Sequence, residues 1–261
     1  MMQARQIDVQ GAPVRLWSGG EGPALLLLQG GMTDAEMHWR PIWDRLSERF
    51  TVYAPDLPGF GGSARLKRPD YPRLVGWIDA LRSEIGAERL TVAGNSFGAS
   101  LARLYAAAHP EQTERLILLN GGSIFRRIPL RGRLVLASPV GGWIMARRAR
   151  KGFGRDTVER MFAEPAAADP ALLDRCAASN EIFHILRHCS AGPEPDSAWT
   201  DAPTLVIWGE ADRHVDMGVG RIHAQHAPNG TFKAIPGAGH LPQLEQPEAT
   251  AQAIFDFCGT I

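Results

Sequence analysis

The sequence predicts an α/β protein built on a twisted, mostly parallel sheet, and three observations support this. Short apolar segments without polar alternation recur along the chain, which is typical of strands buried on both faces of a parallel sheet. Amphipathic helical segments lie between most of them. The 261 residues are enough for one large core of this class. We therefore expect one main domain with helices on both sides of the sheet.

The individual elements follow from the same patterns. Two strand-like segments, 6–10 and 14–18, are separated by Gly-Ala-Pro, which predicts an opening antiparallel hairpin. Apolar strands are predicted at 24–28, 51–54, 90–93, 116–119, 204–208 and 231–235. Helices are predicted at 39–50, 73–85, 99–108, 218–226 and 247–257.

The stretch from 123 to 200 departs from this alternation. It contains no clear strand and is rich in Arg, Ala, Pro and Gly, and helices fit best at 155–163 and 171–186. We predict that residues 1–122 and 201–261 form the core domain. Residues 123–200 are predicted to form a helical cap inserted after the strand at 116–119.

Composition narrows the class of partner and the compartment. Basic and acidic residues number 28 each, so no net charge would draw the protein to nucleic acid or an anionic membrane. Three scattered cysteines are too few for a disulfide framework or a Cys-x-x-Cys metal site. The chain start lacks the apolar region of a secretory signal, and no run of about 18 apolar residues could span a membrane. A cytoplasmic protein is expected.

The strongest motif is Gly94-Asn95-Ser96-Phe97-Gly98, between an apolar strand and a helical segment. Small residues beside the serine allow a strained turn that lifts its hydroxyl above the sheet edge. The N-terminus of the following helix helps to stabilise a developing oxyanion. Such a pattern also arises by chance in ordinary glycine-rich turns, but the flanking strand and helix favour Ser96 as a nucleophile.

A serine hydroxyl is a poor nucleophile unless a base removes its proton. Among eight histidines, His240 stands out in a glycine-containing loop after the last strand, although an exposed loop histidine is the alternative interpretation. Asp212 follows a buried strand and is predicted to orient the imidazole. Glu210 and Asp216 compete for that role. The order serine, acid, histidine is the one expected on this architecture.

Acyl transfer also needs donors for the oxyanion, and losing one costs about 100-fold to 1,000-fold in rate. The backbone N–H of Phe97 is the first candidate. The second is predicted in the turn after the strand at 24–28, where glycines allow close approach. We choose Gly31, with Met32 as the alternative. The alternative is that Gly30 and Gly31 form an ordinary turn after the strand and have no role in binding an oxyanion.

With these motifs, the chain resembles the α/β-hydrolase superfamily, in the branch of small cytoplasmic esterases and meta-cleavage product carbon–carbon bond hydrolases. The resemblance covers nearly the whole length except the insert. It includes the sequence from Asp56 to Ser63, DLPGFGGS, which is similar to the family's Asp-x-x-Gly-x-Gly-x-Ser loop. That loop is expected to be structural, so neither residue receives a catalytic role. The resemblance implies an eight-stranded, mostly parallel sheet with a helical cap.

Residues at three positions of the family pattern bear on the expected chemistry. Gln29 stands where the family usually has histidine at the oxyanion turn, and its amide, which offers donors and an acceptor, could replace the histidine's hydrogen bonds. Asn95 precedes the nucleophile where histidine is frequent. Serine at position 96 argues against haloalkane dehalogenases and epoxide hydrolases, which proceed through a carboxylate ester, and suits acylation by a carbonyl substrate.

Substrate choice on this fold is expected to lie with the cap and loops. Met32, Trp143 and Leu241 are predicted to contact the substrate. Apolar cap residues could line the pocket, although burying the cap is the default explanation: Ile128, Leu130, Leu134, Val135, Leu136, Val140, Ile144 and Met145. Basic residues are also concentrated there, and one or two are hypothesised to bind a substrate carboxylate or phosphate instead of forming a solvated face: Arg126, Arg127, Arg131, Arg133, Arg147, Arg148, Arg150, Lys151 and Arg155.

The tryptophans are divided between core and insert. Trp39, Trp43 and Trp77 lie at helical spacing near other apolar residues and are predicted to belong to the core. Trp199 lies in the insert.

Three functions remain open from the sequence. The first is a serine hydrolase that cleaves a carboxylic ester of a small or medium acyl substrate through an acyl-enzyme on Ser96. The second keeps the same side chains but cleaves a carbon–carbon bond in a vinylogous diketone acid. The third is a ligand-binding member without turnover. None requires a metal or organic cofactor, and the expected assembly is a monomer or homodimer without nucleic acid.

Overall fold

The protein contains one eight-stranded sheet. We describe it from a computed structural model, and the description covers residues 1–123, 138, 143, 147, 152–191 and 198–259. The strands are β1 (Gln3–Val9), β2 (Ala12–Gly19), β3 (Ala24–Leu28), β4 (Thr51–Pro55), β5 (Leu90–Asn95), β6 (Thr113–Leu119), β7 (Thr204–Gly209) and β8 (Gly230–Ile235). Their spatial order is β1-β2-β4-β3-β5-β6-β7-β8. The pairs β1–β2 and β2–β4 are antiparallel and the others parallel, which confirms the predicted sheet and its opening hairpin.

Helices alternate with the strands, as the sequence predicts. They are α1 (Ala35–Leu46), α2 (Tyr71–Glu84), α3 (Phe97–Ala108), α4 (Arg155–Glu159), α5 (Pro170–Ala178), α6 (Glu181–Ala191), α7 (Met217–His226), α8 (Pro242–Glu245) and α9 (Pro247–Cys258). The predicted start of the first helix, at 39, is wrong by four residues. The Asp34 side chain caps α1 by accepting a hydrogen bond from the Met37 N–H, so the helix begins at Ala35.

The prediction of one helix at 171–186 is also wrong. Two helices occupy this stretch, because α5 ends at Ala178 and the backbone of the next residue, Ser179, is extended with ψ of 135°. The predicted helix at 155–163 is shorter than expected and ends as α4 at Glu159. The proposed cap boundaries at 123 and 200 remain a prediction.

Alternating side chains of the parallel strands build two apolar layers, one on each face of the sheet. One layer packs against α2 and α3 and contains Leu26, Leu28, Val92, Leu116, Leu118, Val206, Trp208 and Trp77. The other packs against α1 and α9 and contains Leu25, Leu27, Ala93, Ile117, Leu205, Ile207, Trp39 and Trp43. The three tryptophans predicted to lie in the core are thus buried. This period of two along strands covered on both faces explains the continuous apolar runs in the sequence.

A third, smaller apolar cluster joins the insert to the core. Val158, Met161 and Phe162 from the α4 region pack with Leu241, which lies between β8 and α8. In the described part of the chain, no helix is long and apolar enough to cross a membrane.

The topology brings the loops of interest to one edge. The chain passes from β3 outward to β4 and then returns to β5 on the other side of β3. In open α/β sheets, ligands bind outside the carboxyl ends of the strands at such a switch point. The turn after β3 and the turn after β5 are therefore neighbours.

The packing of α3 against β3 gives a first prediction. A Cβ added at Gly98 would overlap the carbonyl oxygen of Leu28 and approach that of Gln29 to 2.5 Å. We expect Gly98→Ala to lower the free energy of unfolding by about 1–3 kcal/mol, measured by urea titration, because backbone would have to move. Gly76→Ala in α2 is the control, since no atom lies within 4 Å of its added Cβ. An unchanged free energy of unfolding in Gly98→Ala would contradict the close approach of α3 to the end of β3.

Candidate active site

Ser96 lies at the tip of a strained turn between β5 and α3. Its φ of 53° and ψ of −114° are unusual for a residue with a side chain. A Cβ at Gly94 would overlap the backbone of Gly98, and one at Gly121 would overlap Ser96 itself. The turn is held by a hydrogen bond from the Ser96 N–H to the Leu119 carbonyl, at 2.9 Å. The strained geometry that the motif predicts is therefore present, and it depends on glycine at neighbouring positions.

Asp212 and His240 lie in contact on adjacent loops, after β7 and β8. The distance from His240 Nδ1 to Asp212 Oδ2 is 2.8 Å, and their side chains are 1% and 0% exposed. The same oxygen accepts a hydrogen bond from Asn120 Nδ2 at 2.7 Å. The other oxygen accepts from the His214 and Val215 N–H groups at 2.8 and 2.9 Å. These hydrogen bonds fix the orientation of the carboxylate.

The contacts of Asp212 determine its charge and the tautomer of His240. Burial alone would raise the pKa of Asp212, but the hydrogen bond and charge of His240, with hydrogen bonds from Val215 and Asn120, hold that pKa below its usual value. An ionised carboxylate only accepts, so the hydrogen of this contact lies on His240 Nδ1, and Nε2 is the nitrogen left to act as a base. Within the described residues, His240 Nε2 is buried and has no hydrogen-bond partner.

The two competing acids lie elsewhere. Glu210 is exposed to solvent. Asp216 caps α7, because its side chain accepts a hydrogen bond from the Gly218 N–H at 2.7 Å. Of the three acids that follow β7, Asp212 is thus the one in hydrogen-bond contact with His240.

The turn after β3 is organised by buried polar side chains. Gln29 Nε2 donates to the Thr33 carbonyl, and Gln29 Oε1 accepts from the Leu57 N–H, both at 3.3 Å. The amide thus uses both its donor and its acceptor, as expected if it replaces a histidine. The Gly30 N–H lies 3.2 Å from His38 Nε2, so it is directed away from the cavity described below. Gly31, the predicted oxyanion donor, is the next residue.

His38, which no sequence motif indicated, joins this turn to the other two loops. Its Nε2 lies 3.0 Å from Asn95 Oδ1 and 3.0 Å from Gln243 Nε2. Asn95 Nδ2 in turn donates to the His240 and Leu119 carbonyls, both at 3.1 Å. Burial lowers the pKa of His38 to about 3, against the hydrogen bond to Asn95, so the ring is neutral. The network is a polar support for the three loops, and Asn95 is also one of the residues that line the cavity described below.

Asn120 is a second residue that the sequence analysis did not single out. It directly follows β6, and its side chain bridges Asp212 and the Gly239 carbonyl, at 2.7 and 3.2 Å. Its Oδ1 accepts from the Gly209 N–H at 3.2 Å. A polar residue directly after a buried strand was the available signal, since it applies equally to Asp212.

A cavity of about 260 Å³ lies between this edge and the insert. Its polar lining includes Asn95, Ser96, Ser100, Asn120, Ser123, His214 and His240. Its apolar lining includes Met32, Phe97, Phe153, Met161, Ile182, Leu186 and Val215, and Gly30, Gly31, Gly121 and Gly122 complete the set. Ser96, His240, Gly31 and Phe97 thus share one cavity. A Cβ at Gly31 would lie 2.5 Å from Ile182 Cγ1, so the insert packs directly on the turn.

The three predicted substrate contacts lie in different environments. Met32 lines the cavity. Leu241 does not, because it is buried in the apolar cluster beneath the insert. Trp143 does not either: it is 57% exposed, with Arg147 lying 5.7 Å from its ring. Of the three predicted contacts, only Met32 thus lines the described cavity, and contact of any of them with a substrate stays a prediction. Trp199 packs against His223 and Arg103 and is not among the described lining residues.

The basic residues of the insert fall mostly outside the description. Arg155 lies on the surface, where it pairs with Glu159 and Asp174 at 2.9 and 2.7 Å. Outside the described residues lie Arg126, Arg127, Arg131, Arg133, Arg148, Arg150 and Lys151, and also the apolar set Ile128, Leu130, Leu134, Val135, Leu136, Val140, Ile144 and Met145. Within the described residues, no group of three or more His, Cys, Asp or Glu side chains could hold a metal ion.

The loop from Asp56 to Ser63 has the structural contacts expected of it. Asp56 is fully buried and accepts hydrogen bonds from the Ala35 N–H at 2.9 Å and Arg15 Nε at 2.6 Å. Ser63 Oγ accepts from the Arg15 N–H at 3.1 Å. The loop therefore ties β2 to the start of α1, and neither side chain lines the cavity.

The lowered pKa of Asp212 gives a second prediction. Because the folded-state pKa lies below the unfolded one, the ionised carboxylate stabilises the fold at pH values above its ordinary pKa of about 4, and this contribution is lost as the pH falls through the folded-state pKa. We expect Asp212→Asn to be less stable than wild type at pH 7, with the difference shrinking below about pH 4 in urea titrations. Asp216→Asn, away from His240, is the control. A difference that grows toward low pH would contradict the direction.

Comparisons with known proteins agree with the fold. A family model described as the alpha/beta hydrolase family matches residues 25–253. The chain is 28% identical to 2-hydroxy-6-oxo-6-phenylhexa-2,4-dienoate hydrolase of Burkholderia cepacia, covering 94% of this chain and 90% of that protein. It is 30% identical to 2-hydroxymuconate semialdehyde hydrolase of Pseudomonas putida, covering 97% and 93%.

One solved structure is similar to this chain over nearly its whole length. The crystal structure of a bacterial membrane phospholipase A superposes with a TM-score of 0.79 at 26% identity, covering 98% of this chain and 86% of that one. The family model spans well over half of the sequence. The chain therefore belongs to the alpha/beta hydrolase family.

Proposed function

We propose that the protein is a serine hydrolase that cleaves a carboxylic ester of a small to medium acyl substrate. One observation carries the proposal: Ser96, on a strained turn, shares a cavity with His240, whose Nδ1 is hydrogen-bonded to Asp212. This arrangement leaves His240 Nε2 without a hydrogen-bond partner among the described residues, in the same cavity as Ser96, and a serine needs such a base to activate its hydroxyl.

The proposed reaction uses these groups in sequence. Ser96 Oγ attacks the ester carbonyl while His240 Nε2 takes its proton, and Asp212 balances the imidazolium charge. The N–H groups of Phe97 and Gly31 stabilise the oxyanion, with Met32 as the alternative second donor. His240 then gives the proton to the leaving alcohol. A water molecule, deprotonated by the same nitrogen, hydrolyses the acyl-enzyme and regenerates the serine.

The cavity supports a compact, uncharged acyl group. Its volume of about 260 Å³ is below the usual range for drug-sized ligands, about 300–1,000 Å³. Among the described lining residues there is no lysine or arginine to pair with a substrate anion, and apolar side chains from the insert form one wall. We propose the 123–200 insert as the cap that selects the acyl group.

The third prediction tests the nucleophile. Ser96→Ala is expected to lower kcat for p-nitrophenyl esters by roughly a million-fold, because nucleophile and base act as one unit. It should also abolish the fluorophosphonate adduct, measured by intact mass. Ser100→Ala, which alters another serine lining the cavity, should keep the adduct.

Two outcomes would contradict the proposal. An adduct that persists in Ser96→Ala would mean that another residue is the nucleophile. No adduct on the wild-type protein would favour the ligand-binding alternative.

The second candidate is carbon–carbon bond hydrolysis, and a specific observation favours it. The two named relatives at 28% and 30% identity are a dienoate hydrolase and a semialdehyde hydrolase. Such a substrate carries a carboxylate, for which arginine or lysine is the preferred partner. The described lining residues supply none, so we rank this function second.

The fourth prediction separates the two functions. A yellow ring-fission product should keep its colour with the protein, while the p-nitrophenyl esters are hydrolysed. The absorbance of both substrates is followed with the same preparation, and its active sites are counted by fluorophosphonate. Loss of the yellow colour at a higher kcat/KM than for any ester would reverse the ranking.

A further inference from the structure

The loop that carries His240 is bound to the insert through two routes. The His240 N–H donates directly to the Met161 carbonyl at 2.6 Å. Glu245, five residues further on, accepts with one oxygen from the Gly239 and Leu241 N–H groups at 3.0 and 3.3 Å. Its other oxygen accepts from the Ala163 N–H of the insert at 2.7 Å. One carboxylate therefore holds both neighbours of His240 and a residue of the insert.

The charge of Glu245 is satisfied only by backbone groups in the described part of the chain, since no ion pair of Glu245 occurs there. The residue is half-buried, and burial raises its pKa, although the backbone hydrogen bonds from Ala163, Leu241 and Gly239 oppose that shift. A carboxylate kept in such a place costs desolvation, so its hydrogen bonds need to be well formed.

The insert residues held in this way form part of the cavity. Met161 lines the cavity together with Ser96 and His240. Its carbonyl accepts from the His240 N–H, and Ala163, bound by Glu245, lies two residues further on. A shift of this segment would therefore move a cavity wall and the support of the imidazole together.

We propose that Glu245 is a positioning residue that couples the insert wall of the cavity to His240. The inference rests on the proposed function, because it assigns His240 the role of base. With both carboxylate oxygens engaged, the histidine loop and the 161–163 segment are held in one arrangement. The cavity wall formed by Met161 therefore keeps a constant position relative to His240 Nε2, the nitrogen that accepts the serine proton.

Two substitutions distinguish the hydrogen bonds of Glu245 to the histidine loop, which we call its loop arm, from its hydrogen bond to Ala163, which we call its insert arm. Glutamine has one acceptor oxygen, so Glu245→Gln can keep the hydrogen bonds to Gly239 and Leu241 only by turning its NH₂ toward the Ala163 N–H. Two donors then face each other, and the insert arm is lost. Glu245→Ala removes both arms. Glu248→Gln is the matched control, because Glu248 is 81% exposed and lies away from the loop.

The expected kinetics differ between the variants. In Glu245→Gln, KM for p-nitrophenyl esters should rise about 10-fold at nearly unchanged kcat, because a wall that binds ground state and transition state alike is loosened. In Glu245→Ala, kcat per active site should also fall, by about 10-fold to 100-fold, because the imidazole loses its alignment. Active sites are counted by fluorophosphonate titration. Glu248→Gln should match wild type.

Amide hydrogen exchange, followed by NMR, tests the coupling without any substrate. Glu245→Gln should speed exchange at Ala163 and leave Gly239 and Leu241 protected, while Glu245→Ala should speed all three. Wild-type kcat and KM per titrated site in both variants, with only a lower Tm, would overturn the proposal, and so would unchanged exchange at Ala163. If wild type takes no fluorophosphonate adduct, the proposed function fails, and the exchange pattern still decides the coupling.

Discussion

The site depends on how closely the first turn of α3 approaches the end of β3. A side chain at position 98 would collide with the Leu28 carbonyl, and one at position 94 would collide with Gly98. Because both positions are glycine, the backbone of the two segments can touch, and the chain can turn through the strained conformation of Ser96. The same contact sets the N–H of Phe97 beside the turn that contains Gly31. The placement of Ser96 and of the two proposed oxyanion donors therefore depends on this backbone contact.

Buried polar side chains hold the remaining loops at this edge. Asn95 binds the His240 carbonyl, and Asn120 binds both Asp212 and the Gly239 carbonyl. Gln29 and His38 serve the turn after β3 in the same way. Loops without regular structure have backbone groups that need partners when they are buried. Neutral amides and an uncharged imidazole supply these partners without adding charge next to the Asp212–His240 pair.

The sequence predicted the sheet for an identifiable reason. Strands covered on both faces are continuously apolar, and the loops that follow such strands, with Ser96 after β5 and Asp212 after β7, lie at one edge of the sheet. The cap of α1 at Asp34 and the break at Ser179 escaped the analysis, because both depend on backbone conformation at a single residue. His38 and Glu245 escaped it because their partners come from distant segments. Spacing within a helix or loop carries no information about such contacts.

The lining of the cavity shows where local sequence becomes insufficient. Leu241 is adjacent to His240 in the chain, yet the two side chains lie in different environments. His240 lines the cavity, whereas Leu241 packs in the apolar cluster beneath the insert. Met161, which sequence analysis did not single out, lines the cavity and binds the His240 N–H through its carbonyl. The insert thus contributes its backbone to the support of the histidine as well as its side chains to the wall. Variation in this segment consequently acts on substrate fit and on the alignment of the imidazole at the same time.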